Sequence, residues 1–144
     1  MAEVIDTLAS VIGAKRISAN EPLAEHTLLH MGVSAEMYIE IDAQDLLIKI
    51  VKEARRLNVP VSILGSGSRV DSDKDIAGLV IKNMCRRFDK ASMKGRVQVY
   101  AQAGVLMNQL VRFTLDAGLA GLEYQLGLPG TVGGAIYTNA KYRP

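Results

Sequence analysis

Residues 58–69 read Asn58-Val59-Pro60-Val61-Ser62-Ile63-Leu64-Gly65-Ser66-Gly67-Ser68-Arg69. Pro60 closes whatever precedes it, because proline cannot continue a helix. Val61 to Leu64 is a short apolar run of the buried-strand type. The chain then passes directly into two glycines and two hydroxyls. Glycines let successive backbone N–H groups converge on an anion. Ser66 and Ser68 add hydroxyl donors suited to phosphate oxygens, and Arg69 adds charge. Two standard loops do not fit. No Gly-Lys-Ser/Thr follows, so the lysine of a Walker loop is missing. Asp71 stands where the dinucleotide fingerprint G-x-G-x-x-G needs its third glycine. From these residues alone, a phosphate loop and an ordinary Gly/Ser turn are both open.

Upstream, Met37-Tyr38-Ile39-Glu40-Ile41 alternates and predicts a strand. Asp42 is a helix-capping residue, and Asp45 adds to an acidic first turn. Leu46, Leu47, Ile50, Val51, Ala54 and Leu57 form the apolar face of that helix, which Asn58 and Pro60 end. A crossover helix between the strands at 37–41 and 61–64 favours a parallel pair. Gly78 to Ile81 predicts the next strand. Before all of these, Val4, Ile5, Leu8, Val11 and Ile12 repeat at helical spacing over residues 3–12, and Gly13 stops them. The polar stretch 14–29, with Pro22, reads as irregular.

Downstream, Arg96 to Ala101 alternates and is half polar, as in a sheet with one covered face. Residues 105–117 predict a helix with Leu106, Leu110, Val111 and Leu115 inward and Gly118 as its stop. Leu119 to Glu123 is a tight connection. Seven of the thirteen glycines lie between Gly104 and Gly134, a density that breaks elements and permits close backbone approach. Within that stretch stands Gly127-Leu128-Pro129-Gly130-Thr131-Val132-Gly133-Gly134-Ala135. Pro129-Gly130 suits a type II turn. Gly133-Gly134 removes side chains where a flat ligand could lie against the backbone; a glycine-rich hairpin without a ligand is the other reading. Two such loops on different lobes could clamp a dinucleotide. Ile136 to Ala140 reads as a strand or the start of a short helix. The charged run Arg86, Arg87, Asp89 and Lys90 reads as a solvated connection, so the lobe boundary is placed at 83–92. The expected organisation is a lead-in over 1–19, a first lobe over 20–85 and a second lobe over 86–144. The second lobe is short of strands at Pro144 and reads as truncated.

Composition narrows the function classes. Of 144 residues, 49% are apolar and 22% charged, with a net charge of +2, which places the chain among soluble globular proteins. Lys and Arg are spread along the chain rather than gathered on one face, which argues against nucleic acid. Cys85 is the single cysteine, so no internal disulfide forms, as expected in a reducing cytoplasm. It reads as a small apolar packer. No apolar run reaches the ~18 residues that span a bilayer. Acidic Glu3 and Asp6 stand where a signal peptide has its basic region, so no export signal is expected. His26 and His30 are four apart, which would suit a metal only on a helix, and no metal is expected. Glu123 reads as a cap of the following turn. No Ser–His–Asp or Cys–His arrangement emerges, so no catalytic residue is assigned.

The two glycine loops, in this order and separation, resemble the UDP-N-acetylenolpyruvoylglucosamine reductase family, also called UDP-N-acetylmuramate dehydrogenase. Five stretches over roughly residues 20–140 carry the likeness: Pro22 to Thr27 with Gly32 and Ala35; Asn58 to Ser68; Ala103-Gly104-Val105 with Leu110-Val111; Gly118 to Glu123; and Gly127 to Ala135 with Asn139-Ala140. The likeness is to the N-terminal, FAD-binding half of that family. It implies an α+β fold, a two-lobed FAD-binding domain of the vanillyl-alcohol oxidase or p-cresol methylhydroxylase (PCMH) type. It implies non-covalent FAD, NADPH as hydride donor, a UDP-sugar substrate and a role in peptidoglycan synthesis in the cytoplasm. Leu64, Gly65, Ser66, Gly67, Ser68 and Arg69 would hold the FAD pyrophosphate. Gly127, Leu128, Pro129, Gly130, Thr131, Gly133 and Gly134 would wrap the cofactor from the second lobe.

In the family, NADPH reduces the flavin, and hydride then passes to the enolpyruvyl double bond, with a serine protonating the neighbouring carbon. Four departures stand out. Arg69 replaces a usual asparagine, Val33-Ser34 a common Gly-Pro or Gly-Ala, and Lys141-Tyr142-Arg143-Pro144 a usual Gly-Ala-Tyr-Gly. The substrate domain, the serine donor and the active-site glutamate and arginine are not in this stretch, and Arg143 lies too early to be that arginine. This stretch alone is therefore expected to be inactive. Two alternatives are carried: a flavin oxidase of the same fold, and a non-catalytic flavin-binding or interaction module with open sheet edges. Covalent flavin is not expected, because His26, His30 and Cys85 lie outside both loops.

Overall fold

The computed structural model describes residues 2–13, 17–30, 33–70, 72–93 and 95–141. The expectations that rest on Gly32, Asp71 and Tyr142 to Pro144 lie outside the described residues. The chain divides into two compact units, Met1–Met84 and Cys85–Pro144.

In the first unit, α1 (Ala2–Ile12) is followed by β1 (Ser18–Pro22), a 3-10 turn (Leu23–His26) and β2 (Ser34–Ile41). α2 (Gln44–Arg56), β3 (Val61–Leu64) and β4 (Ile76–Asn83) complete it. The sheet order is β1-β2-β4-β3. β1 is antiparallel to β2, while β2 and β3 both run parallel to β4. The crossover helix and the parallel sense are as the sequence predicts. The direct pairing of β2 with β3 is not, because β4 is inserted between them. The reason is burial. Leu79, Val80 and Ile81 are 0%, 2% and 0% exposed, so β4 is covered on both faces and takes the centre. β3 keeps Ser62 and Ile63 exposed and takes the edge.

The two-residue period of the strands divides the core. Met37, Ile39, Ile41, Leu79 and Ile81 face α1 and α2, where they meet Leu8, Ile12, Ile50 and Ala54. Tyr38 and Val80 face the other way and pack with Leu23, Ala35 and Leu64. Ala35 joins Tyr38 across an odd spacing because the register shifts between Ala35 and Met37. Leu64 is therefore a core residue immediately before the first glycine of the loop. That anchors the loop's entrance to the second cluster.

α2 carries its acidic residue Asp45 in the first turn and Arg55 and Arg56 in the last, which suits the helix dipole. Its N-cap is Ala43, one residue later than the expected Asp42. β1 lies within the stretch expected to be irregular. Its sequence, Ser-Ala-Asn-Glu-Pro, has no apolar alternation. It is a strand because β2 offers it backbone partners from Ser18↔Tyr38 to Pro22↔Ser34.

The second unit opens on an antiparallel hairpin, β5 (Phe88–Met93) with β6 (Arg96–Ala101). α3 (Met107–Asp116), a 3-10 turn (Glu123–Gln125) and α4 (Val132–Tyr137) follow. Asp89 and Lys90 are exposed, as expected of a solvated stretch, yet their backbone pairs in β5. The Phe88 and Phe113 rings meet edge to face at 5.0 Å and tie the hairpin to α3. α3 buries Met107, Leu110, Val111 and Thr114. Leu115, expected inward, is 44% exposed, because it falls about a quarter turn from the centre of that stripe. Ile136 and Tyr137 belong to helix, which resolves the two sequence readings of that segment.

Candidate functional site

The loop after β3 is seated by its glycine. Gly67 has φ +70°, the left-handed region that favours glycine. A Cβ there would stand 2.3 Å from the His26 carbonyl oxygen and 2.7 Å from Thr27 Cα, so the loop backbone lies directly against the end of the first 3-10 turn. The Leu28 N–H donates to the Gly67 carbonyl at 3.0 Å and locks the two segments together. Buried Leu64 fixes one end of the loop, and Arg69 is exposed at the other. Ser66 Oγ is buried and has no hydrogen-bond partner within the protein. A buried hydroxyl left unpaired is costly, and it fits a loop whose polar groups are completed by a ligand. Hydroxyl and glycine-rich backbone are the donor set a diphosphate needs.

Behind this loop lies a polar array that sequence reasoning did not find. The Tyr38 hydroxyl donates to Glu40 Oε1 at 2.8 Å and lies 3.0 Å from His26 Nδ1. His26 Nε2 lies 3.0 Å from Glu21 Oε1, and Lys82 Nζ lies 3.4 Å from Glu40 Oε1. The His26 and Tyr38 rings stack with centroids 4.2 Å apart. Burial pushes the Tyr38 phenol well above its ordinary range, helped by its hydrogen bond to Glu40 and by the charges of Glu40 and Glu21. Burial alone would raise the Glu40 carboxyl. The Tyr38 hydroxyl, Lys82 and His26 outweigh it and hold Glu40 below the usual carboxylate range. Two signals in the sequence bear on the array: Tyr38 and Glu40 share a face of one strand, and the Glu40↔Lys82 pair is in register once β4 is placed beside β2. Nothing in the sequence alone places His26 against them. His30, the other histidine, has Nδ1 3.2 Å from the Ala24 carbonyl.

The second glycine segment is built from within its own unit. The Val132 N–H donates to the Val105 carbonyl at 2.8 Å, and the Gly133 N–H to the Ala103 carbonyl at 2.9 Å. A Cβ on Gly133 would stand 2.8 Å from the Ala103 Cβ, so glycine is required there by close helix packing. Thr131 is 4% exposed and caps α4, its hydroxyl accepting from the Gly134 N–H at 3.2 Å. The Gly130 carbonyl accepts from the Met107 N–H. The Gly127 N–H donates to Asn108 Oδ1 at 2.8 Å, a contact the sequence did not suggest. Gly127, Pro129 and Gly134 are exposed, and Leu128 is half-buried. Glu123 accepts from its own N–H and from that of Gly121, which holds its carboxyl below the ordinary range; the second bond reaches back to the preceding residues, where the sequence suggested a cap of the following turn. Between α3 and α4 lies a cavity of about 440 Å³, lined mainly by Met107, Leu110, Leu122, Val132 and Ile136. Gln125 also lines it, and its buried Oε1 has no partner within the protein.

The family of FAD binding domains matches residues 35–141. The chain is 33% identical over 141 residues to UDP-N-acetylenolpyruvoylglucosamine reductase 2 of Bacillus cereus, covering 97% of this chain and 45% of that protein. It is 38% identical over 136 residues to the reductase of that name in Treponema pallidum, covering 90% of this chain and 38% of the other. Among solved structures it is similar to UDP-N-acetylenolpyruvylglucosamine reductase from Thermus caldophilus, with TM-score 0.63 and 26% identity, covering 90% of this chain and 43% of that one. A fold likeness extends to p-cresol methylhydroxylase, with TM-score 0.51, 12% identity, and coverage of 82% and 25%. The fold is thus the α+β fold of PCMH-type FAD-binding domains. The chain spans less than half the length of the curated relatives it matches.

Proposed function

The chain belongs to the family of FAD binding domains, and we propose that it is the FAD-holding portion of a flavin-dependent reductase. The reaction we assign to the whole enzyme is NADPH-dependent reduction of UDP-N-acetylglucosamine enolpyruvate to UDP-N-acetylmuramate, in the cytoplasm. Among the described residues no helix is long and apolar enough to cross a membrane.

The observation that carries this reading is the seated loop from Leu64 to Arg69, with its unpartnered, buried Ser66 hydroxyl. Gly65, Ser66, Gly67 and Ser68 hold the FAD diphosphate by backbone and hydroxyl donors, and Arg69 supplies a cation nearby. Gly127 to Gly134 is the second contact segment, through exposed Gly127, Pro129 and Gly134 and half-buried Gly130 rather than through the Thr131 hydroxyl, which caps α4. Bound FAD supplies the two-electron carrier between NADPH and the enolpyruvyl double bond. The chain's own task is to bind the cofactor and orient it.

Titration of the purified chain with FAD, followed by flavin fluorescence and visible absorption, tests this. Saturable quenching with a structured absorption band is expected. Ser66→Ala should weaken binding about tenfold or more, the scale of a hydrogen bond to a charged group. A chain that is folded by circular dichroism and binds no FAD overturns the proposal.

A further inference from the structure

The first glycine loop is held at two points. Leu64 sits in the core cluster with Leu23, Tyr38 and Val80. Gly67 rests on the His26 carbonyl, and its own carbonyl accepts from the Leu28 N–H at 3.0 Å. Gly65 and Ser66 span the interval between them. There the Ser66 hydroxyl is buried without a partner in the protein. A loop able to relax would turn such a hydroxyl toward water or a carbonyl, because an unpaired buried donor is costly. One side chain serves both holding points. The Tyr38 ring belongs to the Leu64 cluster and also stacks on the His26 ring, with centroids 4.2 Å apart. The Tyr38 hydroxyl lies 3.0 Å from His26 Nδ1, and Glu21 on β1 lies 3.0 Å from His26 Nε2. His26 ends the 3-10 turn, so these contacts tie the seat of Gly67 to β1 and β2. All of them are contacts of the protein with itself, and the seat is built without a ligand.

We propose that Tyr38 and His26 are positioning residues that hold the Leu64–Gly67 segment ready for a diphosphate, with the Ser66 hydroxyl presented unpaired. They act through the backbone of residues 26–28, on which Gly67 is seated. A loop already fixed in its binding conformation loses less freedom when the ligand arrives, so affinity rises without any added ligand contact. The stack and hydrogen bonds of the array offset the cost of the unpaired hydroxyl. The inference rests on the proposed FAD function and adds to it the side chains behind the loop that set the affinity.

The Leu28 amide, bonded to the Gly67 carbonyl, reports the seat directly. Amide hydrogen exchange is measured on the whole chain, with and without FAD, beside a flavin titration well below the melting temperature. In the unaltered chain Leu28 should be protected before FAD is added, and FAD should change that protection little. Tyr38→Phe keeps the ring and removes the hydroxyl. It should speed exchange at Leu28 about tenfold and weaken FAD binding about three- to tenfold, the scale of one hydrogen bond. Exchange at Ile39 and Leu79 should rise less, which separates loosening of the seat from loss of the fold. Glu21→Gln keeps an acceptor for the His26 ring and should recover most of the affinity that Glu21→Ala loses. A Leu28 amide that is protected only after FAD binds overturns the proposal, and needs no variant. So does undiminished Leu28 protection or unchanged FAD affinity in Tyr38→Phe, or a rise at Ile39 and Leu79 equal to that at Leu28. ADP-ribose, also a diphosphate diester, separates the proposal from the cofactor reading. ADP-ribose affinity that follows Leu28 protection, in a chain that binds no FAD, would sink the FAD function and keep the positioning role. Binding of neither would sink both.

Discussion

Gly67 shows how much one residue decides at this site. Alanine there would meet the His26 carbonyl at 2.3 Å and would have to hold a left-handed φ. The backbone term alone is about 1–2 kcal/mol, and the clash with backbone atoms adds to it. Gly67→Ala should therefore lower the unfolding midpoint and weaken FAD binding together, measured by thermal melts and flavin titration. Tyr38 makes a separate prediction. Its phenol is held protonated in the folded chain, mainly by burial and then by Glu40. In the unfolded chain it ionises near its ordinary value of 10.0. The folded state thus keeps a proton that the unfolded state loses. This contribution is complete below about pH 10 and declines as pH rises above it. Tyr38→Phe should flatten that alkaline decline in denaturant melts, while costing about 1–3 kcal/mol at neutral pH through the partners it leaves unpaired. The acid side has the opposite sign. Glu40 and Glu123 are lowered, so the stability they add is present above their ordinary value of 4.5 and is lost as pH falls through the lower folded value.

Among the elements, α2 and α4 illustrate two kinds of packing. α2 meets the sheet through Ile50 and Ala54, both fully buried. Ile50→Ala should destabilise the first unit by about 2–5 kcal/mol, the usual range for a truncation of this size in a core, read from urea melts. α4 meets the Ala103 turn through Gly133. Helix propensity favours alanine over glycine by about 1 kcal/mol, yet a Cβ would lie 2.8 Å from the Ala103 Cβ. The close contact wins, so Gly133→Ala should destabilise the second unit. Adding Ala103→Gly removes the nearest atom and should recover part of the loss, a coupling that a double-mutant cycle would measure. These two residues lie thirty positions apart, and no local pattern in the chain announces their contact.

The two units differ in how they are held together. In the first, β2 and β4 are central strands between two apolar clusters. In the second, the described strands form a two-stranded hairpin with Val97 and Tyr100 more than half exposed. A hairpin of that kind is of marginal stability by itself. Amide hydrogen exchange should therefore be slowest at Ile39, Ile41, Leu79 and Ile81 and much faster along β5 and β6. Uniform exchange across the two sheets would contradict this.

What the sequence determined by itself was local. Periodicity placed α1, α2, α3, β2 and β6, because each element repeats its apolar residues at the spacing its own backbone imposes, and a short apolar run after Pro60 marked β3. Glycine and hydroxyl chemistry marked both loops without reference to any other part of the chain. What only the tertiary structure decided was which distant segments meet. β1 and β5 carry no alternation of their own and are strands because a partner supplies their hydrogen bonds. β4 takes a central place beside β2 because it is apolar toward both faces. His26 reaches Tyr38, Glu21 and Gly67 because the 3-10 turn folds back over β2 and the glycine loop. Such juxtapositions depend on burial and backbone pairing summed over the whole fold, and a one-dimensional pattern does not record that sum.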